Sequence, residues 1–204
     1  AAWKGQATIV AILLEHGANA NHANSRTKAT PLHAAAQKGH PEAAKLLLAA
    51  GASATARDGE GVLPLDLALR FRQVAVADVL LASGTKLDKV QSRLEAAVVA
   101  GQIELVHWYL RHGGRGDALT ALGSTLLHDA ALKGHLEVLQ VLLEAGSKVT
   151  TLNSSGASAL HDAALAGQRS AAALLLDRGA AIDLKERETG ATPLFLAASW
   201  GRLT

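Results

Sequence analysis

The 204-residue chain has no cysteine, which removes disulfide bridges and zinc-thiolate centres and is compatible with a reducing compartment. It has no methionine either. No apolar run approaches the roughly 18 residues that a membrane-spanning helix needs, and no signal-peptide pattern opens the sequence. An excess of charge is also lacking: 20 Lys and Arg stand against 18 Asp and Glu, so no strong field draws the chain to nucleic acid or to an anionic membrane. These absences point to an intracellular protein of the cytoplasm or nucleus, with neither membrane insertion nor a nucleic-acid partner.

What is present is one pattern written many times. It is clearest from Thr125 to Gly146, where Thr-Leu-Leu-His-Asp-Ala-Ala-Leu-Lys-Gly is followed by His-Leu-Glu-Val-Leu-Gln-Val-Leu-Leu-Glu-Ala-Gly. The first half reads as a short helix and the second as a longer helix with apolar residues at Leu136, Val138, Leu139, Val141, Leu142 and Leu143. Neither is long enough to be stable alone. The glycine between them sets a ruler: the position recurs at Gly5, Gly39, Arg72, Gly101, Gly134, Gly167 and Gly201, spaced 34, 33, 29, 33, 33 and 34 residues apart. A second glycine follows the first six positions by 12 residues, at Gly17, Gly51, Gly84, Gly113, Gly146 and Gly179. There a helix needs a left-handed stop.

A period near 33 residues with Thr30-Pro31-Leu32-His33 at one helix start, and Leu46-Leu47-Leu48-Ala49-Ala50-Gly51 closing the unit, resembles the ankyrin repeat. Weaker copies stand at Thr125-Leu126-Leu127-His128, Ser158-Ala159-Leu160-His161 and Thr192-Pro193-Leu194-Phe195. The resemblance spans residues 1–204. It implies an all-α solenoid of stacked helix-turn-helix units with β-hairpin-like finger loops, in which each repeat touches only its neighbours. One array is therefore expected, with about six repeats, partial units at both ends and an irregular stretch at 61–100. Thr30 is expected to cap the helix that Pro31 opens. The resemblance also implies that His33 bonds its own threonine and nearby backbone. Residues 1–5 match the tail of a first helix, and Gly201 to Thr204 stop where a second should begin, so the natural chain is expected to continue on both sides.

The irregular stretch departs from the pattern in several ways. Leu63-Pro64-Leu65-Asp66 loses the threonine and the histidine, and Arg72 takes the inter-helix glycine position. The next connection, from Gly84 to Leu94, is four residues short. Ser92-Arg93-Leu94-Glu95 reads there as a capping box. The array is expected to bend or open most easily in this stretch. In the first repeat, Ile9, Ile12, Leu13 and Leu14 are expected to face inward.

Sites for chemistry were sought and set aside in turn. Ser83-Gly84-Thr85-Lys86 lacks the order of a phosphate loop and is read as a helix cap. His128-Asp129 and His161-Asp162 have no further ligand in register for a metal. Arg115-Gly116-Asp117 and the sequon at Asn153 have meaning only on an extracellular chain. No nucleophile with a base and an orienting partner can be assembled. The reading is a non-enzymatic scaffold with no cofactor, metal or small-molecule substrate, which binds another protein or peptide segment. The alternative is a regulatory or targeting segment of a larger enzyme or signalling protein. The resemblance places partner contacts on the concave edge of the first helices and on the fingers, here Gln37, Lys38, Arg70, Phe71, Val99, Asp129, Leu132, Lys133, Asp162 and Leu165. Phe71 is read both as an interface anchor and as a gap filler. Trp3 and Trp200 are read as gap fillers or as residues that a further repeat would cover.

Overall fold

The computed structural model describes residues 1–200. A 3-10 turn at Ala2–Lys4 leads into α1 (Ala7–Glu15), and then come α2 (Pro31–Lys38), α3 (Pro41–Ala49), α4 (Pro64–Arg70) and α5 (Val74–Ala82). After these come α6 (Val90–Val99), α7 (Ile103–Arg111), α8 (Leu126–Lys133), α9 (Leu136–Glu144), α10 (Ala159–Ala166), α11 (Arg169–Asp177) and α12 (Pro193–Ser199). Even-numbered helices are the first helices of the repeat and odd-numbered ones the second. No sheet forms among the described residues. The chain divides into two compact units, Ala1–Asp88 and Lys89–Thr204, and the division falls within the shortened connection.

Within the first unit, α2 packs on the 3-10 turn, on α3 and on α4, while α1, α3 and α5 form a second row. Within the second unit, α8 packs on α6, α9 and α10, and α10 packs on α11 and α12. There α7, α9 and α11 line up as the other row. The sequence explains the rows. In α9, Val138, Leu139 and Leu142 share one face at helical spacing and are fully buried. Each such side chain contributes about 2 kcal/mol on leaving water. In α7, Trp108 and Tyr109 take the place of the aliphatic residues and are also buried. They meet edge to face at 5.3 Å, and His112 stacks on Trp108 at 4.1 Å.

The fingers resemble hairpins without becoming a ladder. Single antiparallel bridges join Leu119 to Thr125 and Leu152 to Ser158. Successive fingers are linked edge to edge: Gly59 N–H donates to the Thr27 carbonyl at 2.7 Å, Ser154 N–H to Gly123 at 2.9 Å and Arg187 N–H to Ser155 at 3.0 Å. Within each finger an acceptor side chain folds the tip. Asn24 accepts from the N–H groups of Arg26 and Thr27, Asp58 from Glu60 and Val62, and Asn153 from Ser155 and Ala157.

Three expectations meet their outcome here. Arg72 does keep the left-handed geometry of the inter-helix position, with φ 58°. The capping box at Ser92 and Glu95 does not form. The helix starts three residues earlier, at Val90, because Lys89 turns the chain with φ 51° and leaves Ser92 inside α6. Ile9, Ile12 and Leu13 are exposed rather than inward, because only α3 packs against α1 as a neighbouring second helix and it covers the other side, where Val10 is buried. Gly201, the last mark of the ruler, lies outside the described residues, as does the helix start expected beyond it.

Candidate functional site

The motif histidines are consumed by structure. His33, His128 and His161 are about 1% exposed. Nε2 of His33 lies 3.1 Å from the Val62 carbonyl, that of His128 lies 3.1 Å from Ala157, and that of His161 lies 3.3 Å from Ala191. A carbonyl only accepts, so Nε2 carries the proton and donates to the next repeat. Nδ1 must then accept, and it does so from the N–H of Thr30 at 3.1 Å in one repeat and of Ser158 at 3.1 Å in another. The hydroxyls of Thr30, Thr125 and Ser158 lie 2.8, 2.7 and 2.9 Å from the same nitrogens. Burial, the leading influence, pulls the His128 pKa down and keeps that ring neutral, as its two bonds require. Asp66, in the histidine's place, retains half of the device by accepting from Leu63 N–H at 3.4 Å.

A second set of ties runs the other way. His40 Nε2 donates to the Trp3 carbonyl of the preceding repeat at 3.2 Å, His135 to Val99 at 3.0 Å and Gln168 to Leu132 at 3.4 Å. These side chains lie across the inter-helix glycine of that repeat. A Cβ on Gly101 would stand 2.9 Å from the His135 ring, and one on Gly39 would collide with Gln73. With φ 66° at Gly101 as well, glycine is required there twice over.

What these ties leave free is the edge of the first helices and the fingers. In the first unit α2, α4 and the two fingers enclose an open groove of about 960 Å³, lined among others by Trp3, Arg26, Gln37, Glu60, Arg70 and Phe71. Trp3 is 50% exposed and Phe71 is 42% exposed, so both present ring surface there. Lys38 Nζ sits 4.0 Å over the Trp3 ring. Of the residues expected to meet a partner, Gln37, Arg70 and Phe71 are thus gathered in one groove, with Lys38 at its rim. Trp3 joins them, a residue whose place in the sequence reads as a gap filler or as one that a further repeat would cover.

The second unit carries Val99, Asp129, Leu132, Lys133, Asp162 and Leu165 on its first helices. Val99, Leu132 and Lys133 are exposed, whereas Asp129, Asp162 and Leu165 are half-buried. The Asp162 carboxyl is pushed up to about 7, first by burial and then by the charges of Asp129 and Glu186. Asp129 is raised by burial and by Glu95, and Lys133 works in the opposite sense. Carboxylates from α8 and from a finger therefore act on Asp162 together. Among the described residues no group of three or more His, Cys, Asp or Glu is placed to hold a metal ion. The Arg115-Gly116-Asp117 stretch closes on itself, its guanidinium Nε 3.3 Å from the carboxylate.

A family profile described as ankyrin repeats (3 copies) matches residues 1–91 and 94–186. The chain belongs to the ankyrin-repeat family. Among curated relatives, human Cyclin-dependent kinase inhibitor 2A is 39% identical over 95 residues, 46% of this chain and 60% of that protein. Glycerophosphocholine phosphodiesterase gde1 of Schizosaccharomyces pombe is 36% identical over 102 residues, 48% of this chain and 9% of that protein. The ankyrin array thus matches three-fifths of the first relative's length and a small part of the second's. The crystal structure of the human ASB11 ankyrin repeat domain superposes with a TM-score of 0.65 at 29% identity, covering 96% of this chain and 89% of that one. The ankyrin-repeat fold expected from the two glycine periods is the fold observed. Among the described residues no helix is long and apolar enough to cross a membrane.

The ankyrin ties from His40, His135 and Gln168 were not anticipated, although their signal stands in the sequence. The residue after the first six inter-helix positions is Gln6, His40, Gln73, Gln102, His135 or Gln168, and after Gly201 it is Arg202.

Proposed function

We propose that this ankyrin array is a non-catalytic scaffold that holds a partner polypeptide along the first-helix edge and the fingers. The observation that carries the reading is the groove of the first unit, where Trp3 and Phe71 offer ring surface beside Lys38 and Arg70. Aromatic and arginine side chains are the usual anchors of an interface. The half-buried carboxyls Asp129 and Asp162 give the second unit acidic groups that a partner's basic side chains would hold in the ionised form. Similarity to a protein named as an inhibitor of a cyclin-dependent kinase supports the reading, because inhibition of a kinase is an act upon another protein. The functional unit in this reading is residues 1–204, since one period runs through both compact units.

A pull-down with the full-length protein identifies the partner, and titration calorimetry then measures its affinity. The double substitution Arg70→Ala with Phe71→Ala weakens binding by about 1 kcal/mol or more and leaves the melting curve unchanged. Unchanged affinity removes this patch from the interface.

The similarity to a stretch amounting to 9% of a phosphodiesterase favours a second reading, in which the array is a docking or regulatory segment of a larger enzyme. The sequence on either side of the array in the natural gene separates the two readings.

A further inference from the structure

The positions that line the groove of the first unit recur in the second unit with different side chains. In the first unit three places of the frame face the groove: Ala34 or Leu67 after the motif's fourth position, Gln37 or Arg70 two residues before the inter-helix position, and Thr27 or Glu60 three residues before the helix cap. In the second unit the first two places hold Asp129 and Leu132 on α8 and Asp162 and Leu165 on α10, with Val99 at the second place on α6. Leu122 is the finger residue three before the Thr125 cap. Val99 is 45% exposed, Leu132 37% and Leu122 87%. None of the three lies near either end of the sequence, and each has neighbouring repeats on both sides.

Because α6 packs beside α8 and α8 beside α10, Val99 and Leu132 begin an aliphatic column with one residue per repeat. Its step is the distance between packed helices, about 8–10 Å. The backbone of the column is pinned, since the Val99 carbonyl accepts from His135 and the Leu132 carbonyl from Gln168. Less ordering is then left for a partner to impose. Asp129 stands three residues before Leu132, and Asp162 three before Leu165, which puts acid and aliphatic group on one side of each helix. Both carboxyls are half-buried, and neither has an ion pair or a side-chain hydrogen bond among the described residues. Asp162 feels the charges of Asp129 and Glu186, and Asp129 feels that of Glu95, against which Lys133 works.

We infer that this edge takes a basic amphipathic helix of a partner protein, whose apolar side chains recur every seventh residue against Val99 and Leu132 and whose Lys or Arg side chains reach Asp129 and Asp162. The inference rests on the scaffold reading and names the partner's chemistry at the second unit. Spacing selects a helix. Seven helical residues rise about 10.5 Å and return to nearly the same face, which matches the step of about 10 Å between first helices. A strand returns to one face at about 7 and about 13 Å, on either side of that step. Charge selects the sign. A cation beside Asp129 and Asp162 offsets the repulsion that they meet from Glu95 and Glu186. An apolar stripe laid into an aliphatic edge supplies the affinity, and the flanking charges select the partner.

The probe is a synthetic peptide of three heptads with leucine at the first and fourth places, Lys and Arg flanking them, and Ala and Gln elsewhere. Titration calorimetry measures its affinity for the full chain, beside one control with Glu for Lys and Arg and another with Ser for Leu. The basic amphipathic peptide binds, and each control is weaker by about tenfold or more. Val99→Ser with Leu132→Ser, and separately Asp129→Asn with Asp162→Asn, each weaken it by about tenfold, and only the second pair flattens the salt dependence. Arg70→Ala with Phe71→Ala leaves the peptide's affinity unchanged. At about pH 6.5 the wild type releases a proton on binding, because a bound cation ionises the Asp162 carboxyl, whose pKa is about 7, and the asparagine pair releases none. Circular dichroism establishes that the variants are folded, and Val99→Thr with Leu132→Asn serves if the serine pair is not. No binding of the basic peptide, equal binding of either control, or wild-type affinity in either variant overturns the proposal. So does a natural partner that both variants retain, an outcome that leaves the scaffold reading standing. That reading falls only if the full-length protein captures no polypeptide at all.

Discussion

In the unit Ala1–Asp88 the residue after the fourth motif position is Ala34 or Leu67, whereas in the second unit two of the four such residues are acidic, Asp129 and Asp162 beside Ala96 and Leu196. The backbone frame is the same on both sides: left-handed inter-helix residues, buried histidines bonded to the next repeat, and a Gln or His lying over the glycine before it. Yet one first-helix edge presents rings and cations around a groove, and the other presents aliphatic residues and carboxylates that burial pushes toward protonation. The ties fix the interior positions and leave the edge unconstrained. Chemistry varies there because the histidine and glutamine ties end on backbone carbonyls, which any residue supplies.

If the frame is common to both units, breaking it should cost the same in each. His33→Ala and His128→Ala each remove a bond to the next repeat and strand buried polar groups, so each lowers stability by about 3 kcal/mol in urea denaturation. A loss under about 1 kcal/mol at either site breaks the equivalence.

The difference between the edges should appear in the pH dependence. Asp162 has an ordinary carboxyl pKa near 3.8 when unfolded and one of about 7 when folded, so the folded chain holds the extra proton in between. Its effect on stability is nil below the lower value. The penalty grows as pH rises from about 4 to about 7 and stays constant above that. The partial exposure of the site limits the penalty to on the order of 2 kcal/mol. Asp162→Asn should therefore raise the melting temperature at pH 8 and leave it nearly unchanged at pH 4. A variant with the wild-type pH slope would place the titration elsewhere.

The smallest effect sharpens the frame itself. Arg72→Gly relieves a left-handed residue with a side chain and should stabilise the protein by about 1 kcal/mol. The reverse change, Gly134→Ala, should destabilise it by more, because the new Cβ meets Gln168 as well as an unfavourable φ. Equal and opposite shifts in denaturation midpoint would mean that φ alone matters.

Much of the fold was legible because it is written in backbone requirements. Glycine periods, Pro31, Thr30 and the departure at Arg72 each state a dihedral angle or a missing donor, and such statements hold without knowledge of neighbours. Contacts were less legible. Ile9 and Leu13 are apolar at core spacing, but spacing does not reveal whether a neighbouring helix is there to cover them. Ser92 and Glu95 have a cap's spelling, yet the shortened connection lets Lys89 start the helix first. Asp162 looks ordinary along the chain, since the charges that shift it come from α8 and from a finger more than twenty residues away. The groove drew Gln37, Arg70 and Phe71 together as the frame implied, while Trp3 entered it through the 3-10 turn that precedes α1.

The opposed directions of the two sets of ties have a consequence for how such a gene can change. His33, His128 and His161 bond forward while His40, His135 and Gln168 bond backward, so a duplicated or deleted stretch one full period long within these repeats keeps donors and acceptors in register. A change of another length has to be absorbed in a finger, as the extra residue between His161 and the Ala191 carbonyl is. Selection on folding alone would then admit whole copies most readily, with smaller changes confined to the fingers.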